Sequence, residues 1–192
     1  MQLFLGTLTR YYTEVQPLDD PEVVVGAVSA WRHWLNKELP HALDWDESPT
    51  APFDEAEVGD KCVGALWLLA AYAGSDAELP VETPDDWRAD ARVQQAKQSK
   101  PGGMFMQVVK PNLWLPGEHD FLFQARELDE RLNWIGSSEE LLRELEAMER
   151  HWKSELESRP GLADDFGHAR EIIEPLARRS VEFGLPLRLI PG

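Results

Sequence analysis

The sequence predicts an α+β fold: one mainly helical domain over residues 1–192 with a small antiparallel sheet. Three observations carry that expectation. Ser137 and Glu140 form an S-x-x-E helix start ahead of a leucine stripe. The run CVGALWLLAAYAG, beginning at Cys62, reads as a helix covered nearly all round. After Met104 the chain breaks into short aromatic and branched runs, MFMQVV, LWL, DFLF and LNWI, separated by Pro-Asn, Pro-Gly and charged residues.

Taken in chain order, QLFLGTL and RYYTEV at the start read as an opening strand or hairpin. Asp20-Pro21 starts a helix, because aspartate accepts an orphan amide while proline lacks the N–H that would go unpaired at the first position. That helix runs to about Leu39, with Val24, Val28, Trp31 and Leu35 on one face. Pro49 and Pro52 then make the segment from Asp44 to Glu57 an irregular connection. Asp60 is expected to cap the apolar helix, and Gly74 to end it.

Thr83-Pro84-Asp85-Asp86 introduces a short polar helix, and residues 98–103, ending in Pro101-Gly102-Gly103, form a candidate flexible hinge. Pro116-Gly117 suits a turn between two strands. The helix opened by Ser137 buries Leu141, Leu145, Met148 and Trp152, and leaves Glu140 and Glu144 on its exposed sides. A last helix is expected from Asp164 or Asp165 to Phe183, kinked at Pro175 and capped by Gly184, with Ile172, Leu176 and Phe183 buried. Leu185 to Ile190 returns as a strand.

Composition bounds the partners. Lys and Arg number 19 against 35 Asp and Glu, a formal net charge of -16 that repels phosphate backbones and anionic lipid and attracts basic proteins. Nucleic acid and membrane are therefore not the expected partners. Eight tryptophans demand burial that a disordered chain does not provide. The single cysteine, Cys62, cannot form an internal disulfide and reads as a buried structural thiol. MQLFLGTLTR lacks the pattern of a signal peptide, and the longest apolar run is too short to cross a bilayer, so a cytoplasmic location is expected.

No motif names a reaction. The five histidines show no HExxH or HxxxH spacing, and there is no G-x-S-x-G and no phosphate-binding glycine loop, so the expectation is no catalytic residue, no metal and no cofactor. Glu118-His119-Asp120 offers a weak metal cluster of the kind common in solvated turns. Asp44-Trp45-Asp46-Glu47 contains a D-x-D pattern but lacks the central glycine and closing glutamate of a calcium loop. The charge distribution is more informative. Residues 41–90 hold 13 acidic residues and two basic ones, Lys61 and Arg88, and the helix starts at Asp60, Asp85 and Asp86 explain only part of the excess. What remains is an acidic loop, with Asp44, Trp45, Asp46, Glu47, Phe53, Asp54, Glu55 and Glu57 as the candidate grip on a basic protein.

The segment LWLPGEHDFLFQARELDERLNWIGSSEELLRELEAMERHW, residues 113–152, resembles the C-terminal part of small acidic proteins among the bacterial immunity proteins. It covers about a fifth of the chain, and Ile135-Gly136-Ser137 is its helix-start signature. The resemblance implies a cytoplasmic protein that neutralises a cognate toxin by binding it and occluding a basic active site. Two other readings stand beside it: an enzyme using Asp44, Asp46 and His41 around a divalent metal, and a non-catalytic adaptor subunit.

Overall fold

The computed structural model describes residues 1–117 and 119–191. Strand β1 (Gln2–Leu5) is followed by a short α1 (Leu8–Arg10) that widens into π-helical turns over Tyr11–Val15, and then by α2 (Pro21–Glu38). Next come β2 (Asp54–Glu57), α3 (Asp60–Tyr72), a 3-10 turn at Trp87–Ala89, α4 (Ala91–Gln98) and α5 (Met106–Val109). The chain closes with β3 (Leu113–Leu115), β4 (Leu122–Arg126), β5 (Leu132–Ser137), α6 (Ser138–Glu157), α7 (Pro160–Phe183) and β6 (Leu187–Ile190).

The six strands form one sheet in the order β2-β1-β6-β3-β5-β4. β3 and β5 pair in parallel, and every other pair is antiparallel. The sheet is therefore mixed and larger than the antiparallel one expected after Met104, because both ends of the chain and the acidic segment add strands to it. β3 and β4 are not a hairpin across Pro116-Gly117, since β5 lies between them.

Alternation along the central strands sorts the core into two layers. Leu3, Leu5, Trp114, Leu187 and Leu189 point to one face, where they meet α3, α5, α6 and α7. Phe4, Leu113, Leu115 and Ile135 point to the other, under Tyr11, Tyr12 and the α2 stripe of Val24, Val28, Trp31 and Leu35. The sheet is thus covered on both sides, which explains why β3 reads as a continuous apolar run and why β6 is apolar except at Arg188. Two glycines permit close approach: a Cβ on Gly64 would meet the Trp87 indole at 2.7 Å, and one on Gly136 would meet Pro111 at 2.7 Å.

Several local expectations are overturned by tertiary contacts. RYYTEV is helical, because Thr7 Oγ1 accepts from Arg10 N while Glu47 accepts from the amides of Leu8 and Thr9. Met106–Val109 is helical and not a strand, and Phe105 precedes it in the left-handed region at φ 56. Asp60 is the first helical residue and not the cap, which is Gly59; its carboxylate instead accepts from Trp87 Nε1 and pairs with Arg88. α7 begins at Pro160, where proline suits the first turn, and runs through Pro175 without a break, with Pro175 exposed. Leu176 is buried as expected, but Ile172 is only half-buried and Phe183 is 41% exposed. Asp90, not the Thr83 segment, caps α4. Of the candidate hinge at 98–103, Gln98 ends α4 and residues 99–103 are an irregular connection, tied where Lys110 Nζ donates to the carbonyl of Ser99.

α6 keeps its expected start and buried face: Ser137 Oγ accepts from Glu140 N, and Leu141, Leu145, Met148 and Trp152 are buried. The reciprocal half of the capping box does not form, since Ser137 N donates to Gln107 Oε1 and Glu140 pairs with Arg143. Glu144 departs from its expected exposure. It turns onto the start of α5, where its carboxylate accepts from Val108 N at 3.1 Å. Burial pushes its pKa up to about 7, helped by Glu140 and Asp120 and opposed by the amides of Gln107 and Val108.

On the other face of the sheet, Arg188 of β6 forms a buried ion pair with Glu127. Tyr12 Oη donates to the same carboxylate at 2.9 Å, and Asn133 Nδ2 donates to it at 2.7 Å. Among the described residues no helix is long and apolar enough to cross a membrane.

Two measurements test these placements. Replacing Glu127 by Ala strands the Arg188 charge and is expected to cost about 3–5 kcal/mol in denaturant unfolding, while E127M with R188M costs less than E127A alone. For Glu144 the folded pKa lies above the unfolded value of 4.5, so its contribution is complete below about pH 4.5 and is lost as pH rises through about 7. E144Q, which keeps an acceptor for Val108 N, is expected to stabilise the fold by on the order of 2 kcal/mol well above pH ~7 and to change little in acid.

Candidate functional site

The acidic segment runs from the end of α2 to the outer edge of the sheet, and the structure divides its eight candidate residues into two sets. Trp45 and Glu47 face inward. The Trp45 ring is buried, lies edge-on to Trp31 with centroids 6.0 Å apart, and donates through Nε1 to Glu47 Oε1 at 2.6 Å. Glu47 also takes the amides of Leu8 and Thr9, so one carboxylate caps the first helix and anchors the loop. Trp45 is thus buried and Glu47 half-buried in contacts within the chain, whereas the sequence placed both on the partner-facing surface.

The remaining six lie at the surface. Asp44 is exposed and receives Arg32 Nη1 at 3.3 Å. Asp46 caps its own turn, accepting from Ser48 N at 2.7 Å, while its amide donates to Gly184 O at 2.7 Å. Phe53 is 53% exposed, with the Arg10 guanidinium 4.3 Å from its ring centroid. Asp54, Glu55 and Glu57 belong to β2, a strand where an irregular loop was expected.

Register explains how β2 presents its charges. Opposed residues in an antiparallel pair point to the same face. Asp54 sits opposite Leu5 and therefore faces the α7 side, where it pairs with Arg179. Glu55 and Glu57 sit opposite Phe4 and Gln2 and point to the α2 side, where both are exposed and Glu55 receives Gln2 Nε2 at 3.0 Å. Among the described residues β2 pairs only with β1, so its outer edge keeps open backbone donors and acceptors, flanked by carboxylates.

The sequence reading missed Arg179 and Phe183. Arg179 binds Asp54 and lies 5.7 Å from the Phe183 ring centroid, so α7 adds an exposed phenylalanine on the side of the sheet that Asp54 faces. No periodicity flagged it, since Phe183 reads as a core position of a helix whose end turns out to be uncovered.

The metal reading distributes differently. Asp44 and Asp46 have partners of their own, Arg32 and Ser48. The histidines, scattered in sequence, are not all apart in space: the rings of His41 and His119 meet edge to face at 4.2 Å. Two imidazoles supply part of a ligand set, but among the described residues no group of three His, Cys, Asp or Glu side chains stands ready to hold an ion. Glu118, the third member of the turn cluster, lies outside the described residues. Cys62 is half-buried, and burial raises its thiol pKa, which lowers the fraction of reactive thiolate.

No family model, no curated protein and no solved structure matches this chain.

The division into inward and outward residues has a direct test. Glu47→Ala removes the acceptor of three N–H groups and is expected to lower the melting temperature by several degrees, in keeping with a loss of about 1–3 kcal/mol. Asp44→Ala, at an exposed site, is expected to leave it within about one degree.

Proposed function

We propose that this chain is an acidic binding protein whose sheet edge receives a basic protein partner. The observation that carries the reading is Phe53, exposed beside an edge strand that bears Asp54, Glu55 and Glu57. A specific protein interface combines an aromatic anchor with a polar rim. Phe53 and Phe183 supply the anchors, and Asp46, Glu55 and Glu57 supply a rim whose sign speeds the approach of a cation. The open edge of β2 adds backbone groups to which an extended basic segment can pair.

The likeness of residues 113–152 to immunity proteins supplies the biological form of this proposal. The partner is then a cognate toxin with a basic active site, held in the cytoplasm and neutralised by occlusion. The carboxylates take the place of an anionic substrate, and the chain itself performs no reaction.

Co-purification with the product of the adjacent gene, followed by stopped-flow association at several salt concentrations, tests the proposal. The expected complex forms more slowly as salt rises, and reversing Asp46, Glu55 and Glu57 to Lys slows association about tenfold while the melting temperature holds. Association that is indifferent to salt and to the reversal would remove the acidic edge from the interface.

A further inference from the structure

A cavity of about 300 Å³ lies between α3, α4 and the sheet, lined by none of the residues of the acidic edge. Its walls include Trp67 of α3, Lys97 of α4, Lys110 and Asn112 from the connection into β3, and Leu132 and Trp134 of β5. Asp and Glu outnumber Lys and Arg 35 to 19 in this chain, yet among the described residues two lysines and no Asp or Glu line this space. That is the reverse of the acidic edge, and it arises where the protein has excluded its commonest charged residues.

The two ammonium groups are placed differently. Lys110 is buried and donates to the carbonyls of Lys97 at 2.6 Å and Ser99 at 2.5 Å, which closes the end of α4 and leaves one N–H of three unassigned. Lys97 Nζ lies 3.7 Å from the centroid of the Trp67 ring and has no hydrogen-bond acceptor or carboxylate among the described residues. A half-buried ammonium held only by an aromatic face has unmet demand for an anion. Trp134, with Lys110 Nζ 5.5 Å from its ring, and Leu132, 55% exposed, complete an apolar surface.

We propose that this cavity binds a small planar aromatic carboxylate. Its ring lies against the Trp134 indole and Leu132, and its carboxylate takes the Lys97 ammonium, held over Trp67, together with the remaining Lys110 N–H. The volume falls at the small end of ligand pockets, which are mostly apolar with a few convergent polar groups. A single negative charge suits the site, because the Lys110 ammonium is already shared between two carbonyls. Desolvation holds both amino groups below the ordinary lysine range, with Arg88 adding to the effect at Lys97. An anion at Lys97 raises it again.

Calorimetric titration of the full chain with indole-3-carboxylate, indole-3-carboxamide and inorganic phosphate tests the proposal. The acid is expected to bind at one site, the amide and phosphate about tenfold more weakly or not at all, and Lys97→Gln to weaken the acid about tenfold at an unchanged melting temperature. In the native chain, the NMR titration of the Lys97 side chain is expected to move to higher pH when the acid is bound. That readout decides the matter if the Lys97→Gln chain does not fold. Absence of binding, equal affinity for acid and amide, phosphate binding as well as the acid, or a Lys97 titration that ignores the ligand would each overturn it.

Discussion

The buried pair of Arg188 and Glu127 is the contact on which the arrangement of this chain turns. Arg188 occupies a position of β6 whose neighbours Leu187 and Leu189 are apolar, and it points to the face where alternation calls for another apolar side chain. A guanidinium there is costly unless it is paired and its donors are used. Glu127, from the turn between β4 and β5, supplies the charge; Tyr12 and Asn133 satisfy the same carboxylate; and the Tyr11 ring lies 4.3 Å from the guanidinium carbon. Burial pushes the Tyr12 hydroxyl up to about 12, so it remains a donor across the physiological range. The last strand, the first helix and the far hairpin are thereby held in one register, since slipping any of them leaves a charge unpaired out of water.

From that constraint the layering follows. With β6 held between β1 and β3, the N-terminal strand is internal and its other edge must be covered or charged. The acidic segment does this as β2, which converts an apparent linker into the rim of the sheet. Glu47 secures the segment at its start by capping α1, and Arg179 secures it at β2 through Asp54. The backbone that carries the outward carboxylates is consequently held in place. A rigid acidic edge loses less entropy on meeting a partner than a free acidic loop would.

The two charged regions of the molecule are opposite in sign and in construction. The edge is open, acidic and furnished with exposed phenylalanines; the cavity is recessed, cationic and walled with indoles. Charge density along the chain reveals the first, because its residues are consecutive. The second is assembled from Trp67, Lys97, Lys110 and Trp134, which are far apart in sequence and individually unremarkable. His41 and His119 make the same point, meeting only because β3 delivers its following turn to the end of α2.

What the sequence by itself determined is the set of elements whose signals are local. α2 has its Asp20 cap and Pro21, and its apolar stripe is the observed buried face. α6 has the Ser137 cap and its leucine face, the Gly184 cap adopts the left-handed φ of 62 that glycine tolerates, and the last residues form a strand. Tertiary structure alone decided the rest. RYYTEV and MFMQVV have the composition of strands, but Glu47 and Glu144 arrive from distant segments to satisfy helical amides. Trp45 and Glu47 look like members of an exposed acidic run until Trp31 and the amides of α1 turn them inward. Periodicity and capping report the free energy of a segment with its own neighbours, whereas a buried carboxylate or an edge strand depends on groups more than a hundred residues away.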